Sequence, residues 1–421
     1  MKSEVQTCDV LVAGGGMVGL TLALALRQAG LEVIAVDGAE PAAQLAPTYD
    51  GRASAIASAS WRMLKTLGLA ERIGAHAQPI EEIVVSDGRP GGSSRKSGPS
   101  SLFLHFDRRE LDPGPEGEAL GYMVENRRLR LALAQEARDS GLDLRAPDGV
   151  VSHEVHPGSV RVRLRSGQIV EAGMLAAADG RDSRTRRSAG LRSAGWAHQQ
   201  TALVVTVRHQ LPHNGIAHEY FLPGGPFAIL PLSEKRACVV WTDHALTVKA
   251  LLALSDGDFL AELRARFGTF LGDLAIEGPR FSYPLSVHVA EKLIAPGLAL
   301  VGDSGHGVHP IAGQGLNMGL RDAAALAEVL VDAARLGLDL GAASTLERYD
   351  RWRRFDNALL TWATEGFNAL FSNDWALLRL ARDAGMSAVS GFGPARRFFM
   401  KAAGGQVGDL PLLLRGEALA L

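Results

Sequence analysis

The sequence predicts an α/β fold (α+β overall), and three observations carry that prediction. Near the N-terminus, "DVLVAGGGMVGLTLALALRQAG" has the order of a buried parallel strand, a glycine-rich turn and an apolar helix. In the middle of the chain, "TALVVTVRHQ", "HEYFLPGGPFAILPL" and "ACVVWTDH" alternate or run apolar like strands of an antiparallel sheet. Far downstream, "LALVGDSGHGVHPIAGQGLNMGL" repeats the order of strand, glycine turn and helix around a single acid.

Composition bounds the rest. A length of 421 residues predicts two or three domains, and 47% hydrophobic with 21% charged residues supports a sizeable core. The net charge of -2 supplies no electrostatic case for nucleic acid as a partner. Two cysteines, Cys8 and Cys238, build neither a disulfide framework nor a thiolate metal cluster, which suits a reducing, cytoplasmic setting. The apolar N-terminal stretch is short for a membrane span, is broken by glycines and follows Glu4 and Asp9, so it reads as strand, turn and helix.

The first turn has specific physics. Gly14, Gly16 and Gly19 match G-x-G-x-x-G after the strand ending at Ala13. Gly14 permits the tight turn, Gly16 lets backbone approach a pyrophosphate, and Gly19 allows close helix packing. Met17 and Val18 open the helix, whose N-terminal partial charge faces the phosphates. "LEVIAV" supplies the second strand, with Asp37 at its end, where a dinucleotide fold places its ribose-binding acid. This is a Rossmann-like unit, and the acid favours a ribose without a 2'-phosphate.

Two further signals follow in order. Arg52, in "YDGRASAIASASWRMLKTLGL", stands before small residues expected to open a helix; it reads as a surface cation or as a cation near a bound cofactor. "GMLAAADGRDSRTRRSAGL" places Asp179, Gly180, Ser183 and Arg186 in a D-G-x-x-S-x-x-R spacing after a buried strand. The distal loop adds Gly302 and Asp303 after a strand, then Gly313, Gln314, Gly315, Leu316 and Asn317 at the start of a helix. Asp303 can accept hydrogen bonds from sugar or ribityl hydroxyls, and the glycines allow a flat ring to approach. His306 and His309 form one weak pair with no third ligand nearby, so no metal is expected.

Together the Gly14 loop with Asp37, Asp179-Gly180 and Gly302-Asp303 resemble the FAD-dependent aromatic hydroxylases, the family of para-hydroxybenzoate hydroxylase. "DGRASAIA" and "HPIAGQGLNMGLRD" resemble its ubiquinone-biosynthesis branch. The resemblance implies a Rossmann-like FAD-binding domain, an inserted antiparallel-sheet substrate domain and a helical C-terminal region. It implies that Asp303 binds the ribityl chain, that Pro310 lies beside the flavin ring, and that the Leu316 and Asn317 amides face its pyrimidine edge. Arg52 matches an arginine near FAD, Asn126 a polar residue at the diphosphate, and the Asp179 motif a segment serving FAD and pyridine nucleotide. It implies transient use of NADPH or NADH with O2 as co-substrate, consistent with the lack of a second complete glycine signature.

The expected FAD-binding domain is discontinuous, at 1–75, 118–188 and 290–340, with the substrate domain at 76–117 and 189–289 and the helical region at 341–421. Ser344 with Glu347 has the pattern of a helix capping box. "GGPFAILPL" resembles a stretch lining the substrate side of the flavin, which makes Phe227, Leu230 and Pro231 substrate candidates, with core packing an equal reading. His218, Tyr220 and His309 are the acid–base candidates. The branch implies a polyprenylated phenol as substrate. Arg208 keeps open a small aromatic acid, whose carboxylate it would clamp, and a non-catalytic FAD-binding scaffold is the other alternative. "ARRFFMK" sets Arg396, Arg397 and Lys401 around Phe398 and Phe399, either as a packed helix or as a surface meeting lipid headgroups or a partner, which would seat the protein peripherally on the inner face of the cytoplasmic membrane.

Overall fold

The computed structural model describes residues 5–46, 50–87, 103–111, 117–307, 314–354, 356 and 392–421. The N-terminal apolar run forms β1 (Gln6–Ala13), and its last four residues are all buried. β1 lies in parallel between β2 (Val33–Val36) and β11 (Ile169–Ala177). β8 (Asp143–Arg145) extends this sheet beyond β2, and β18 (Leu298–Leu300) extends it beyond β11, again in parallel. β17 (Ile294–Ala295) closes one edge, and a hairpin of β9 (Val150–His156) and β10 (Ser159–Leu164) pairs onto β11. Because β1, β11 and β18 are parallel neighbours, their C-terminal ends emerge at one edge of the sheet. All three glycine-containing motifs begin there.

The helix α1 (Met17–Gln28) is buried continuously from Gly19 to Leu26. It packs against α5 (Asn126–Asp139) and α9 (Gln314–Arg335) as well as against the sheet. A helix covered on every side is apolar on every side, which explains the stretch with the composition of a membrane span. Among the described residues no helix is long and apolar enough to cross a membrane. A Cβ added at Gly319 in α9 would stand 2.6 Å from the Val18 side chain. That glycine therefore lets the first turns of α1 and α9 approach, and with them the two distant loops.

A small antiparallel sheet joins β3 (Ala53–Ala57), β7 (Gly121–Glu125) and β4 (Ala77–Ile80). The run after Arg52, expected to open a helix, is β3 instead, and α3 (Ser58–Thr66) follows it. Its small residues suit a tight layer: a Cβ at Gly121 would meet the Ile56 carbonyl oxygen at 2.7 Å. On β3 the Asn317 side chain accepts from the Ala57 amide and donates to the Ala55 carbonyl, as a neighbouring strand would.

The second large sheet has the order β19 (His306–Gly307), β16 (Leu274–Ala290), β12 (Ser193–His209), β15 (Arg236–His244), β14 (Gly225–Leu232), β13 (Ile216–Leu222), β5 (Glu82–Asp87) and β6 (Phe103–Asp107). Pairing is antiparallel except between β13 and β5. One face packs under α7 (Ala245–Leu252) and α8 (Asp256–Phe267) through Tyr220, Phe227, Ile229, Val239, Trp241, Phe259 and Leu263. The opposite face, with Ala217, Leu230, Leu232 and Phe281, meets Ile80 and Met123 of the small sheet.

Two short turns, α2 (Pro41–Gln44) and α4 (Leu69–Ile73), and α6 (Arg184–Ser188) complete the helices up to α9. The next helix, α10, runs over 343–354, so Ser344 and Glu347 lie inside it and form no capping box. Asp339 organises the entry instead: its Oδ1 accepts from the Gly341 amide and its carbonyl from the Thr345 hydroxyl. The last helix of interest, α11 (Gly393–Ala403), is followed by Leu413 and Leu414, both buried in the main core. The stretches "GRPGGSSRKSGPS" and "WALLRLARDAG" lie outside the described residues.

Candidate active site

The site is assembled from loops at the C-terminal edge of the parallel sheet. At the first, a Cβ on Gly14 would stand 2.2 Å from the Ala178 carbonyl oxygen, and one on Gly19 would stand 2.0 Å from that of Gly14. These glycines are required by packing. A Cβ on Gly16 would meet nothing within 4 Å, so this glycine faces open space. No acidic side chain occupies the first turn of α1 and no side chain caps it, leaving its partial positive charge for an external anion.

Asp37 is locked in place. Its Oδ2 accepts from the Gly15 amide at 2.6 Å, and its Oδ1 accepts from the Ala39 amide and the Gln44 side chain. A carboxylate offers about four acceptor positions, so capacity remains for a ribose hydroxyl.

Asp179 is occupied by its own motif. It accepts from the hydroxyls of Ser183 and Thr185 and from the Thr185 amide. Ser183 also caps α6 by accepting from the Arg186 amide. Arg186 reaches across to donate to the Ser304 carbonyl at 2.6 Å, and Ser304 donates back to the Ala177 carbonyl. The visible work of Asp179, Ser183 and Arg186 is to clasp the end of β11 to the turn carrying Asp303, while Gly180 has open space beside its Cα.

Behind that turn lies a buried charge network absent from the sequence reading. Asp322, wholly inaccessible within α9, accepts from the Gly302 amide at 3.0 Å, His306 Nε2 at 2.5 Å and Arg353 Nε at 2.8 Å. Burial alone would raise its carboxyl. The His306 and Arg353 charges outweigh burial and hold it at about 2. His306 therefore buttresses the loop, and among the described residues no cluster of metal-ligating side chains exists.

Arg52 enters from a third direction. Its guanidinium grips Asp50 through Nε at 2.9 Å and Nη2 at 3.0 Å and lies 4.6 Å over the Tyr283 ring. Asp50 also accepts from Asn126 at 3.0 Å, Arg130 at 2.8 Å and the Tyr283 hydroxyl at 3.3 Å. Burial opposes its charge, and the bonds from Arg52, then Asn126 and Arg130, hold the carboxyl well below the usual range. Burial likewise opposes the Arg52 charge, while Asp50, Tyr283 and Asp303 together keep its pKa above the ordinary value. Asp303, far away in sequence, thus favours the charge on Arg52. Asn126 is 3% exposed and spends its amide on Asp50 and Ser54, so it positions Arg52 through Asp50.

The comparisons with known proteins agree with this geometry. Residues 7–358 match the FAD binding domain family. The chain belongs to that family. Ubiquinone hydroxylase UbiL of Rhodospirillum rubrum is 46% identical over 418 residues, covering 98% of this chain and 94% of that protein. The 3-demethoxyubiquinol 3-hydroxylase of Escherichia coli K12 is 33% identical over 402 residues, covering 94% and 98%. Among solved structures, p-nitrophenol 4-monooxygenase PnpA from Pseudomonas putida has a TM-score of 0.76 across 94% of this chain and 98% of that one, at 19% identity, a likeness of fold.

The residues present fit FAD. Gly16, Gly180 and Gly315 each have nothing within 4 Å of an added Cβ, so backbone at the three loops is open to an approaching cofactor. Met17 and Val18 form the first turn of α1, Gln314 opens α9, and Leu316 and Asn317 lie in its first turn. Asn317 spends its side chain on β3. His309, Pro310 and Gly313 lie outside the described residues.

The substrate candidates divide between the faces of the second sheet. Phe227 is fully buried on the helix side, between Tyr220 and Trp241, and Pro231 shares its strand parity. Core packing accounts for both, and Leu230 alone of the three lies on the face toward the small sheet. His218 and Tyr220 also belong to the helix side: His218 packs on Phe270, and burial drops its imidazole to about 4 and pushes the Tyr220 phenol up to about 12. Neither faces the FAD-binding loops. Arg208 is surface-exposed and ion-paired with Glu277. Sequence reasoning also passed over Tyr283 and Glu219, which stand on the other face; a lone carboxylate in the apolar alternation of "IAHEYFL" was the available signal for Glu219.

Proposed function

We propose that this chain is an FAD-dependent monooxygenase that hydroxylates the aromatic ring of a polyprenylated phenol in ubiquinone biosynthesis, using NAD(P)H and O2. The near full-length relationship to proteins named as ubiquinone hydroxylases carries this reading. When bound, FAD supplies the redox chemistry that activates oxygen. The chain supplies the rest. The α1 N-terminus and Gly16 receive the pyrophosphate, Asp37 the ribose, and Asp303 the ribityl hydroxyls. The α9 N-terminus faces the ring, and Asp50 fixes Arg52 beside it. The division into an FAD domain and an inserted substrate domain belongs to the same proposal. The small-acid alternative loses support, because Arg208 is engaged at the surface.

The test is genetic and chemical. The chain is expressed in bacterial strains that each lack one ubiquinone ring hydroxylase, and quinones are profiled by mass spectrometry. Restored ubiquinone in one strain is the expected result. Persistent accumulation of the unhydroxylated prenylphenol in every strain, with soluble flavin-loaded protein present, would overturn it. That outcome would also distinguish a scaffold, which binds FAD without turnover.

Contact with a lipid surface is part of the same reading. Phe392, Phe398 and Phe399 are 61%, 56% and 39% exposed at α11. Arg397 and Lys401 flank the two adjacent phenylalanines, while Arg396 is held by Glu110. Exposed aromatics beside basic residues suit an anionic headgroup layer, at about 1 kcal/mol per basic residue. Replacing Phe398 and Phe399 together by serine is expected to reduce cosedimentation with anionic vesicles severalfold at unchanged FAD content. Unchanged cosedimentation would remove this surface from the reading. Deleting 392–421 is a poorer test, because it would also strip Leu413 and Leu414 from the core.

A further inference from the structure

The face of the second sheet that meets the small sheet is apolar along its cross-strand rows. One row runs Phe281, Val204, Val240, Ala228, Glu219 and Val85, each paired with the next. Glu219 is its sole polar side chain. The row begins at the FAD side: a Cβ on Gly51, next to Arg52, would stand 2.0 Å from the Phe281 ring. Four strand spacings, about 19 Å, separate Phe281 from Glu219. Along β13, Ala217 is covered by the cluster containing Ile80 and Met123, whereas Phe221 touches Val85. Glu219 sits between them at the border of the covered region and is half-buried.

A carboxyl in such a place is costly without a partner. Among the described residues Glu219 forms no hydrogen bond or ion pair, and burial pushes its carboxyl up to about 8. Its neighbours in register, Val85 and Ala228, carry no charge, Asp87 stands opposite Phe221, and the charged clusters on this face, among the described residues, are Arg236 with Glu125 and Glu277, and Arg52 with Asp50 and Tyr283. A structural carboxylate would be paired.

We infer that Glu219 receives the substrate: its carboxylate accepts the hydrogen bond of the ring hydroxyl and then the proton. This rests on the reading of the chain as a phenol hydroxylase. In the step, the phenol O–H bond breaks, an O–H bond forms on Glu219, and the electron pair stays on the phenolate oxygen. That makes the ring a better nucleophile toward an electrophilic oxygen. An ordinary glutamate near 4.3 would leave transfer from a phenol near 10 uphill by roughly a millionfold, whereas a carboxyl near 8 leaves roughly a hundredfold. The base must be ionised, so turnover rises as pH passes through about 8.

The experiment uses the FAD-loaded enzyme, a short-chain prenylated phenol and its O-methyl ether. Binding is read from perturbation of the flavin spectrum, and product formation from pH 6 to 9. At about pH 9, where the carboxylate is ionised, wild type is expected to bind the phenol roughly 10-fold or more tighter than the ether, as a hydrogen bond to a charged group requires, and to show the rising limb. Glu219→Leu is expected to bring the two ligands within about twofold. Glu219→Gln, which keeps shape and an acceptor oxygen, is expected to retain FAD and part of the preference but to lose the limb. Variants with full FAD content that keep both the preference and the limb would overturn the assignment. If wild type hydroxylates no phenol at all, the functional reading itself fails, and the two failures are told apart.

Discussion

Asp322→Ala is expected to destabilise the protein by about 3–5 kcal/mol, the usual cost of breaking a buried ion pair by removing one partner. Three donors lose their acceptor together: the Gly302 amide, His306 Nε2 and Arg353 Nε. Arg353 is 1% exposed and keeps Asp356 as a partner at 2.7 Å, so the damage concentrates on the turn. Flavin retention is expected to fall with stability, because that turn carries Asp303. The acid side has a definite sign. The Asp322 carboxyl is held at about 2 in the folded protein, against about 3.9 unfolded. Its contribution is therefore complete above about pH 4 and is lost as pH falls through about 2. Thermal melts of wild type and variant at pH 7 and at decreasing pH check this: the difference should shrink on acidification. Equal melting at pH 7 would show that the network carries no stability.

The second large effect separates two glycines of one loop. Alanine is the better helix former by about 1 kcal/mol, so propensity alone would favour Gly19→Ala. The clash decides otherwise, because the new methyl would lie 2.0 Å from the Gly14 carbonyl oxygen and 3.1 Å from Ala178 Cβ. Gly14 cannot yield freely, since its amide donates to the Val36 carbonyl at 2.7 Å and its own Cα abuts Ala178. Overpacking of this kind costs about 1–3 kcal/mol or more, and both apo-protein stability and flavin content should drop, the latter more than tenfold. Gly16→Ala meets no protein atom within 4 Å. Its apo-protein should melt like wild type while flavin content falls, because the methyl takes space needed by phosphate. Flavin-to-protein absorbance ratios and apo-protein melts measure both. A Gly16→Ala protein with full flavin would place the pyrophosphate elsewhere.

Much of the site was legible because its signals are local. The Gly14 turn, Asp37, the Asp179 spacing and the Gly302 loop each follow from a strand end, a glycine conformation and a helix start within a few residues. The parallel sheet then needed only to bring β1, β11 and β18 side by side. The misreadings came where a residue's role depends on a distant partner. Arg52 was visible as a cation, but Asp50, which grips it, is held in turn by Asn126 and Arg130 of α5 and by Tyr283 of β16, both distant in sequence. The small residues after it suit a helix start on local grounds, and pairing with β7 makes them a strand.

The sequence by itself determined the fold class, the dinucleotide loop, the second glycine loop and the resemblance to flavin hydroxylases, because backbone geometry at glycines and strand ends is set by neighbours in the chain. Only the tertiary structure decided which side chains share a face of the second sheet. In "HEYFLPGGPFAILPL" every residue lies in a strand or the turn between two strands, and parity sends Tyr220 and Phe227 under the helices and Glu219 and Leu230 to the opposite face. A strand's alternation is visible in sequence, but which face meets the small sheet depends on what packs against it, and that contact is made by Ile80 and Met123, far away in the chain.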